Sequence, residues 1–183
     1  MKERAESRPK SQVHTVRKIF KGKSYTFDVE EVTLPNGRKA VYSMIRHPGS
    51  TGIVPIMDDG TVLMLSQYRH VIGRYILEIP SGTMELGETP LQCARRELEE
   101  ETGYRAGEMI KIGAVHIMPA YSDELIHVYL AKGLIPAEQH LDQDEIIETV
   151  RYPLDELMRF IDEGKITDGL TVLALHRAEA HLR

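Results

Sequence analysis

With 183 residues, 42% of them hydrophobic and 28% charged, the chain is sized for one domain, two at most, and has the composition of a globular protein that buries a core. It carries a formal net charge of −5 and one cysteine, Cys93, which excludes an internal disulfide framework and a cysteine-based zinc site. No stretch approaches the roughly 18 apolar residues of a transmembrane helix, and an acidic chain binds phosphate backbones poorly, so neither a membrane nor a nucleic acid is an expected partner.

Residues 1–24 hold eight Lys/Arg against Glu3 and Glu6, which is +6 and leaves −11 for the remainder. This start reads as a solvated basic arm. It has no apolar run of the kind a secretory signal needs, and with the lone thiol it points to the cytoplasm. Residues 25–34 alternate and are rich in β-formers, Pro35-Asn36-Gly37 signals a turn, and residues 40–45 return as the second strand of a hairpin. Residues 52–57 and 61–65 flank Asp58-Asp59-Gly60, a second hairpin signal. Residues 75–79 form a short strand stopped by Pro80. In Thr89-Pro90-Leu91-Gln92, Thr is the N-cap, Pro takes the first helical position and Gln the third, a capping box. The helix runs to about Thr102 and stops at Gly103, with Leu91, Ala94 and Leu98 on one face.

Further strands are expected over 109–117, 125–130 and 146–152. Leu154, Leu157, Met158 and Ile161 then mark a second helix ending at Gly164, and residues 170–182 a third. The order is that of an α+β fold. It divides into a basic arm (1–24), a small N-terminal antiparallel β unit (25–48) and a main domain (49–183).

The chemistry concentrates between Gly82 and Tyr104. On a helix, Glu97, Glu100 and Glu101 share a face at i, i+3, i+4. Carboxylates so close repel one another unless something positive sits among them, and a hard divalent cation binds carboxylate and phosphate oxygens together. Gly82 and Gly87 precede the helix, where they permit positive φ and close backbone approach. Arg96 is placed to orient a carboxylate through a bidentate bond. A phosphate loop is excluded, because Glu88 stands where such a loop has lysine. The scattered histidines show no metal-ligand spacing.

The complete pattern, Gly82, then Glu88, then Arg96-Glu97-Leu98-Glu99-Glu100-Glu101-Thr102-Gly103-Tyr104, resembles the signature of the Nudix hydrolases. Tyr104 is its one departure, in an aliphatic slot. Gln67-Tyr68-Arg69, Leu77-Glu78-Ile79-Pro80-Ser81-Gly82, Pro119, Arg46-His47-Pro48-Gly49 and Gly164-Lys165-Ile166-Thr167-Asp168 are similar to the branch that hydrolyses ADP-ribose and other nucleoside diphosphate sugars.

The resemblance implies a Nudix fold, a mixed sheet sandwiched between helices, and Mg²⁺- or Mn²⁺-dependent hydrolysis of the diphosphate bond to a nucleoside monophosphate and a sugar phosphate. It implies Glu97 and Glu101 as main metal ligands, Glu100 as a third or its close support, and the Ser81 carbonyl as a main-chain ligand. Glu78 holds a further metal or the terminal sugar. Glu88 and Arg96 orient loop and helix, and Gly82 and Gly103 are structural positions of the motif. Arg69, Arg46 and Pro119 contact substrate, Arg69 at the pyrophosphate. In this branch the base lies outside the signature on a later acidic loop. Here that is Asp142-Gln143-Asp144-Glu145, with Glu145 first, Asp144 second and Glu100 the fallback. Enzymes of this kind are homodimers whose N-terminal strands cross to the partner. The competing readings are a Nudix hydrolase of nucleoside triphosphates, dinucleoside polyphosphates or coenzymes, and a non-catalytic ADP-ribose sensor.

Overall fold

The computed structural model describes residues 9–183, and the chain divides into two units. The smaller comprises the described residues up to Pro48 together with Met118–Glu124. It is built on an antiparallel sheet of β1 (Gln12–Lys21), β2 (Thr26–Thr33) and β3 (Lys39–Arg46), in that order. The 25–45 hairpin is present, turning at Gly37 with φ of 81°, a conformation that favours glycine. Strand β1 corrects the expectation of a solvated arm. Val13, Thr15, Val16 and Ile19 are β-branched, and the ladder from Gln12↔Thr33 to Lys21↔Thr26 pairs the backbone groups on its inner edge with β2. All its side chains are nonetheless exposed. Residues 1–8 of that arm lie outside the described residues. The 118–124 segment is stitched to β3 by the Ile45–Ser122 bridge and by Asp123, which accepts from Arg46 Nη1 and from His47 N, each at 2.9 Å.

The larger unit, Gly49–Ile117 with Leu125–Arg183, holds two sheets and three helices. Strands β4 (Ser50–Pro55), β7 (Ser81–Thr83), β8 (Tyr104–Val115) and β9 (Ile126–Pro136) form a mixed sheet in the order β7-β4-β9-β8, with β4 parallel to β9. Strands β5 (Thr61–Arg69), β6 (Arg74–Glu78) and β10 (Ile147–Pro153) form an antiparallel sheet in the order β10-β5-β6. Alternation divides the core. Ile53, Tyr129 and Ala131 face Ala94 and Leu98 of α1 (Pro90–Thr102). Val54, Val128 and Leu130 face Leu157 of α2 (Leu154–Asp162) and Ala174, Leu175 and Ala178 of α3 (Gly169–Leu182). The mixed sheet is therefore sandwiched between helices, the α+β architecture expected. Among the described residues no helix is long and apolar enough to cross a membrane.

Two local expectations are corrected. Asp58-Asp59-Gly60 does make a tight turn, with Met57 N donating to Thr61 O at 2.8 Å, but its flanking strands are not a hairpin. Beyond the Ile56–Val62 bridge, β4 and β5 enter different sheets, because both are apolar on both faces and each finds longer partners. Leu91 is 41% exposed rather than on the buried face of Ala94 and Leu98. The buried stripe of α1 runs through Cys93/Ala94, Glu97/Leu98 and Glu101/Thr102, and its backward extension falls at 89/90.

Candidate active site

Helix α1 begins where the sequence requires. Gln92 N donates to Thr89 Oγ1 at 3.3 Å, Thr89 N donates back to Gln92 Oε1 at 2.9 Å, and Pro90 needs no acceptor. It ends at Gly103, whose φ of 71° lets its N–H reach Glu99 O at 2.8 Å. Thirteen helical residues between these caps carry Arg96, Glu97, Glu100 and Glu101 as one rigid set.

Arg96 is the hub. Its Nε and Nη2 grip Glu88 at 3.0 Å each, Nη1 donates to Glu97 Oε1 at 2.7 Å and to Glu100 Oε2 at 2.9 Å, and Nη2 also reaches Thr83 O at 3.1 Å. The Arg96 fork holds Glu88 below the usual carboxylate range, and these bonds keep the guanidinium firmly charged. Glu88 Oε2 in turn accepts from Glu85 N at 3.0 Å, which shapes the loop before the helix.

Glu97 and Glu101 are buried at 8% and 2% exposure. Burial pushes the Glu97 carboxyl up to about 7 despite the attraction of Arg96, with Glu100 and Glu145 adding to the rise. Burial likewise drives Glu101 well above its ordinary value, against the hydrogen bond it accepts from Ser81 N at 2.8 Å. Glu100 is half-exposed and turned to Arg96. Gly82 lies in strand β7 rather than in a positive-φ loop, correcting the sequence expectation. It is needed for close approach, since a Cβ there would stand 1.9 Å from Glu97 Cδ. Cys93 packs below with Thr51, its thiol pushed up to about 11 by burial.

On the neighbouring sheet, Arg69 donates to Glu78 Oε2 through Nε at 2.9 Å and Nη2 at 2.7 Å. Burial raises Glu78 while Arg69 opposes the shift. Arg69 also acts on Glu101, lowering it. Glu145 closes the 142–145 turn, its carboxylate accepting from Asp142 N at 3.0 Å, and its charge reaches both Glu97 and Glu101. Asp144 is exposed. Arg46 and Pro119 belong to the smaller unit, where Arg46 is paired with Glu30 and Asp123 and Pro119 is exposed.

Tyr104 has a physical reason to replace an aliphatic residue: it packs against the Ile53–Leu98 cluster while its hydroxyl accepts from Arg151 Nη2 at 2.6 Å. Sequence reasoning missed two supports. Gln139 Nε2 donates to Glu101 O at 2.6 Å and His140 N to Glu100 O at 2.9 Å, covering the open C-terminal carbonyls of α1 from a loop without periodicity. Thr171, fully buried, accepts from Ile79 N at 3.0 Å and donates to Asp168 Oδ2 at 2.7 Å. The Asp168-x-x-Thr171 cap spacing was its only trace in the sequence.

No group of three His, Cys, Asp or Glu stands in metal-holding geometry among the described residues, because Arg96 draws Glu97 and Glu100 to itself. The donor set still fits a hard divalent cation. Its donors are all oxygen, and burial disfavours the anions of Glu97, even beside Arg96, and of Glu101, which further positive charge would offset.

Comparison with known proteins agrees with this geometry. A family model described as NUDIX domain matches residues 46–171. The chain is 38% identical to the ADP-ribose pyrophosphatase of Bacillus subtilis (strain 168), over 86% of each chain. It is 40% identical to the methanol dehydrogenase activator of Bacillus methanolicus, again over 86% of each. With the GDP-mannose pyrophosphatase of Yersinia enterocolitica it shares 33% identity over 88% of this chain and 89% of that one. A solved structure described as an ADP compounds hydrolase superimposes with a TM-score of 0.82 at 24% identity, covering 96% of both chains, a likeness of fold. The intact signature, the buried acidic face of α1 and a family match over most of the chain lead to one conclusion: this protein belongs to the Nudix family.

Proposed function

We infer that the protein hydrolyses the diphosphate bond of ADP-ribose or a related nucleoside diphosphate sugar, giving a nucleoside monophosphate and a sugar phosphate. The observation that carries the reading is the pair of buried carboxylates Glu97 and Glu101, both raised by burial, set on one helix beside the Arg69–Glu78 pair. Relatives bearing the names ADP-ribose pyrophosphatase and GDP-mannose pyrophosphatase support the substrate class. An intact set of helix carboxylates speaks against a sensor without catalysis.

The family works with a divalent metal, here Mg²⁺ or Mn²⁺. Glu97, Glu101, Glu100, the Ser81 carbonyl and Glu78 are the residues that would hold it. Bound there, it would supply the positive charge that lets an acidic site accept a diphosphate and stabilise the departing phosphate. Arg69, held by Glu78 through Nε and Nη2, presents its remaining nitrogen to the pyrophosphate. Arg96, through Glu88, fixes the loop and the rotamer of Glu97. Glu145 takes a proton from the attacking water. What supports it over Asp144 is that its charge acts on both Glu97 and Glu101, whereas Asp144 is exposed. Arg46 and Pro119 are further candidate substrate contacts. The protein acts in the cytoplasm as a homodimer, a reducing compartment being what a single thiol fits.

A hydrolysis panel with Mg²⁺ tests the reading. ADP-ribose or an NDP-hexose should exceed every nucleoside triphosphate by at least about tenfold in kcat/KM, a gap of about 1.4 kcal/mol. EDTA should abolish turnover and Mg²⁺ or Mn²⁺ restore it. A triphosphate at the head of the panel, or full turnover without metal, overturns it.

A further inference from the structure

Gln67 is 4% exposed, and no described residue donates a hydrogen bond to its Oε1. Buried carboxamide oxygens are almost always satisfied in folded proteins, so an orphan of this kind needs a reason. Its position supplies one. On β5, Gln67 pairs with Ile147 of β10 and Ile76 of β6, and Leu65 pairs with Glu78. Side chains two apart share a face, so Gln67, Arg69 and Glu78 lie on one side of this sheet, as the Arg69–Glu78 ion pair requires. Tyr68 N donates to Ile146 O at 3.0 Å, carrying the pairing one step past the ladder, and Glu145 follows next in the turn it closes with Asp142, its charge acting on Glu97 and Glu101. The opposite face, with Val62 and Met64, packs into the α2–α3 core. Gln67 is thus a neutral acceptor, flanked by Ile76 and Ile147, on the sheet face that carries the Arg69–Glu78 pair.

We propose that Gln67 is a catalytic residue that orients the attacking water, its Oε1 accepting one hydrogen while Glu145 takes the other as a proton. The proposal deepens the hydrolase reading and rests on Glu145 being the base. A water with a lone pair aimed at phosphorus must turn both O–H bonds away, and two acceptors fix that orientation where one leaves it free to rotate. In the step, the water oxygen forms the new P–O bond and one proton passes to Glu145. The phosphoanhydride P–O bond breaks, and its electron pair departs on the phosphate of the other product. The hydrogen held by Gln67 stays on the new phosphate. A carboxylate at position 67 would add a charge on the face of Glu78, whereas a carboxamide accepts without one.

The test uses Gln67→Met, which keeps length and removes the acceptor, with Glu145→Gln and the double variant, assayed on ADP-ribose with Mg²⁺. The expected result is a loss in kcat of about tenfold to a hundredfold in Q67M, with KM within about twofold of wild type and Tm not lowered. In the double variant kcat falls little below that of E145Q, because both residues hold the same water. A second readout counts only active molecules, so partial unfolding does not blur it. In aqueous methanol, methanol has one O–H to give to Glu145 and none for Gln67. The ratio of phosphate methyl ester to free monophosphate therefore rises in Q67M. Wild-type kcat in Q67M, a raised KM with kcat kept, losses that multiply in the double variant, or an unchanged product ratio would each overturn the proposal. If E145Q is crippled while Q67M is normal, the role of Gln67 alone fails. If E145Q turns over at the wild-type rate, the base assignment fails and this proposal with it.

Discussion

The Gly82–Glu97 contact is the most sensitive point of the site. A methyl group at residue 82 would stand 1.9 Å from Glu97 Cδ, but that atom is the end of a flexible side chain, so the carboxylate moves and the strand does not. Gly82→Ala should therefore keep the fold, with Tm within a few degrees, while kcat falls by about 10²-fold or more through a displaced ligand carboxylate. Thermal melts and turnover on one preparation check this, and wild-type kcat would remove the contact from the mechanism. Glu97 also sets a pH dependence. Its folded carboxyl, near 7, lies above the ordinary value of 4.5, so the folded metal-free protein holds its proton more tightly than the unfolded chain. Stability thus falls as pH rises from 4.5 through 7, by on the order of 3 kcal/mol if the whole shift is realised. A divalent cation reverses the sign by compensating the anion. The Mg²⁺-induced rise in Tm should accordingly be larger at pH 8 than at pH 6, and equal shifts at both would contradict the assignment.

At the scale of elements, the α1 cap is a local device with a local cost. Thr89→Ala removes the acceptor for Gln92 N and should cost about 1 kcal/mol, a few degrees in a chain of this size, with kcat nearly unchanged because Glu97 and Glu101 lie about two and three turns away. A melt and a rate measurement separate the two effects. The same helix shows what could be read from sequence. Thr89, Pro90, Gln92 and Gly103 specify its ends through short-range hydrogen bonds, and the acidic face follows from helical periodicity alone. What was not legible depended on distant partners. Strand β1 looked like an arm because charge counts say nothing about pairing with β2. The expected hairpin around Asp59 failed because only tertiary context sends β4 and β5 to different sheets. Arg69 and Glu78 were visible as separate residues, but their ion pair needed the β5–β6 register. Gln139 and His140 carried no pattern, since a loop that covers helix carbonyls has no period to detect.

For the whole molecule, the N-terminal sheet sets the expected assembly. Its register puts Val13, Val16 and Tyr42 on one face, at 48%, 50% and 44% exposure, with the buried Val32 and with Glu30, which lies between Val16 and Tyr42. Exposed apolar side chains beside a polar row suit a second copy of the chain. Sedimentation should give twice the 20.8 kDa chain mass, and Val16→Asp should shift it toward one without lowering the helical signal. A wild-type monomer at micromolar concentration would refute the homodimer. The parallel pairing of β4 with β9 has a consequence in time. Ser50 meets Ile126 far along the chain, and α1 rests on Tyr129, Ala131 and Leu134 of β9 as well as on Ile53 of β4. A nascent chain that has just emerged through Tyr104 already contains every residue of the signature but has no β9 to support its helix. Closing so long a loop before any contact rewards it is slow. Hydrolytic competence should thus be among the last properties gained during synthesis or refolding, well after the β1–β2–β3 meander, whose neighbours in space are neighbours in sequence.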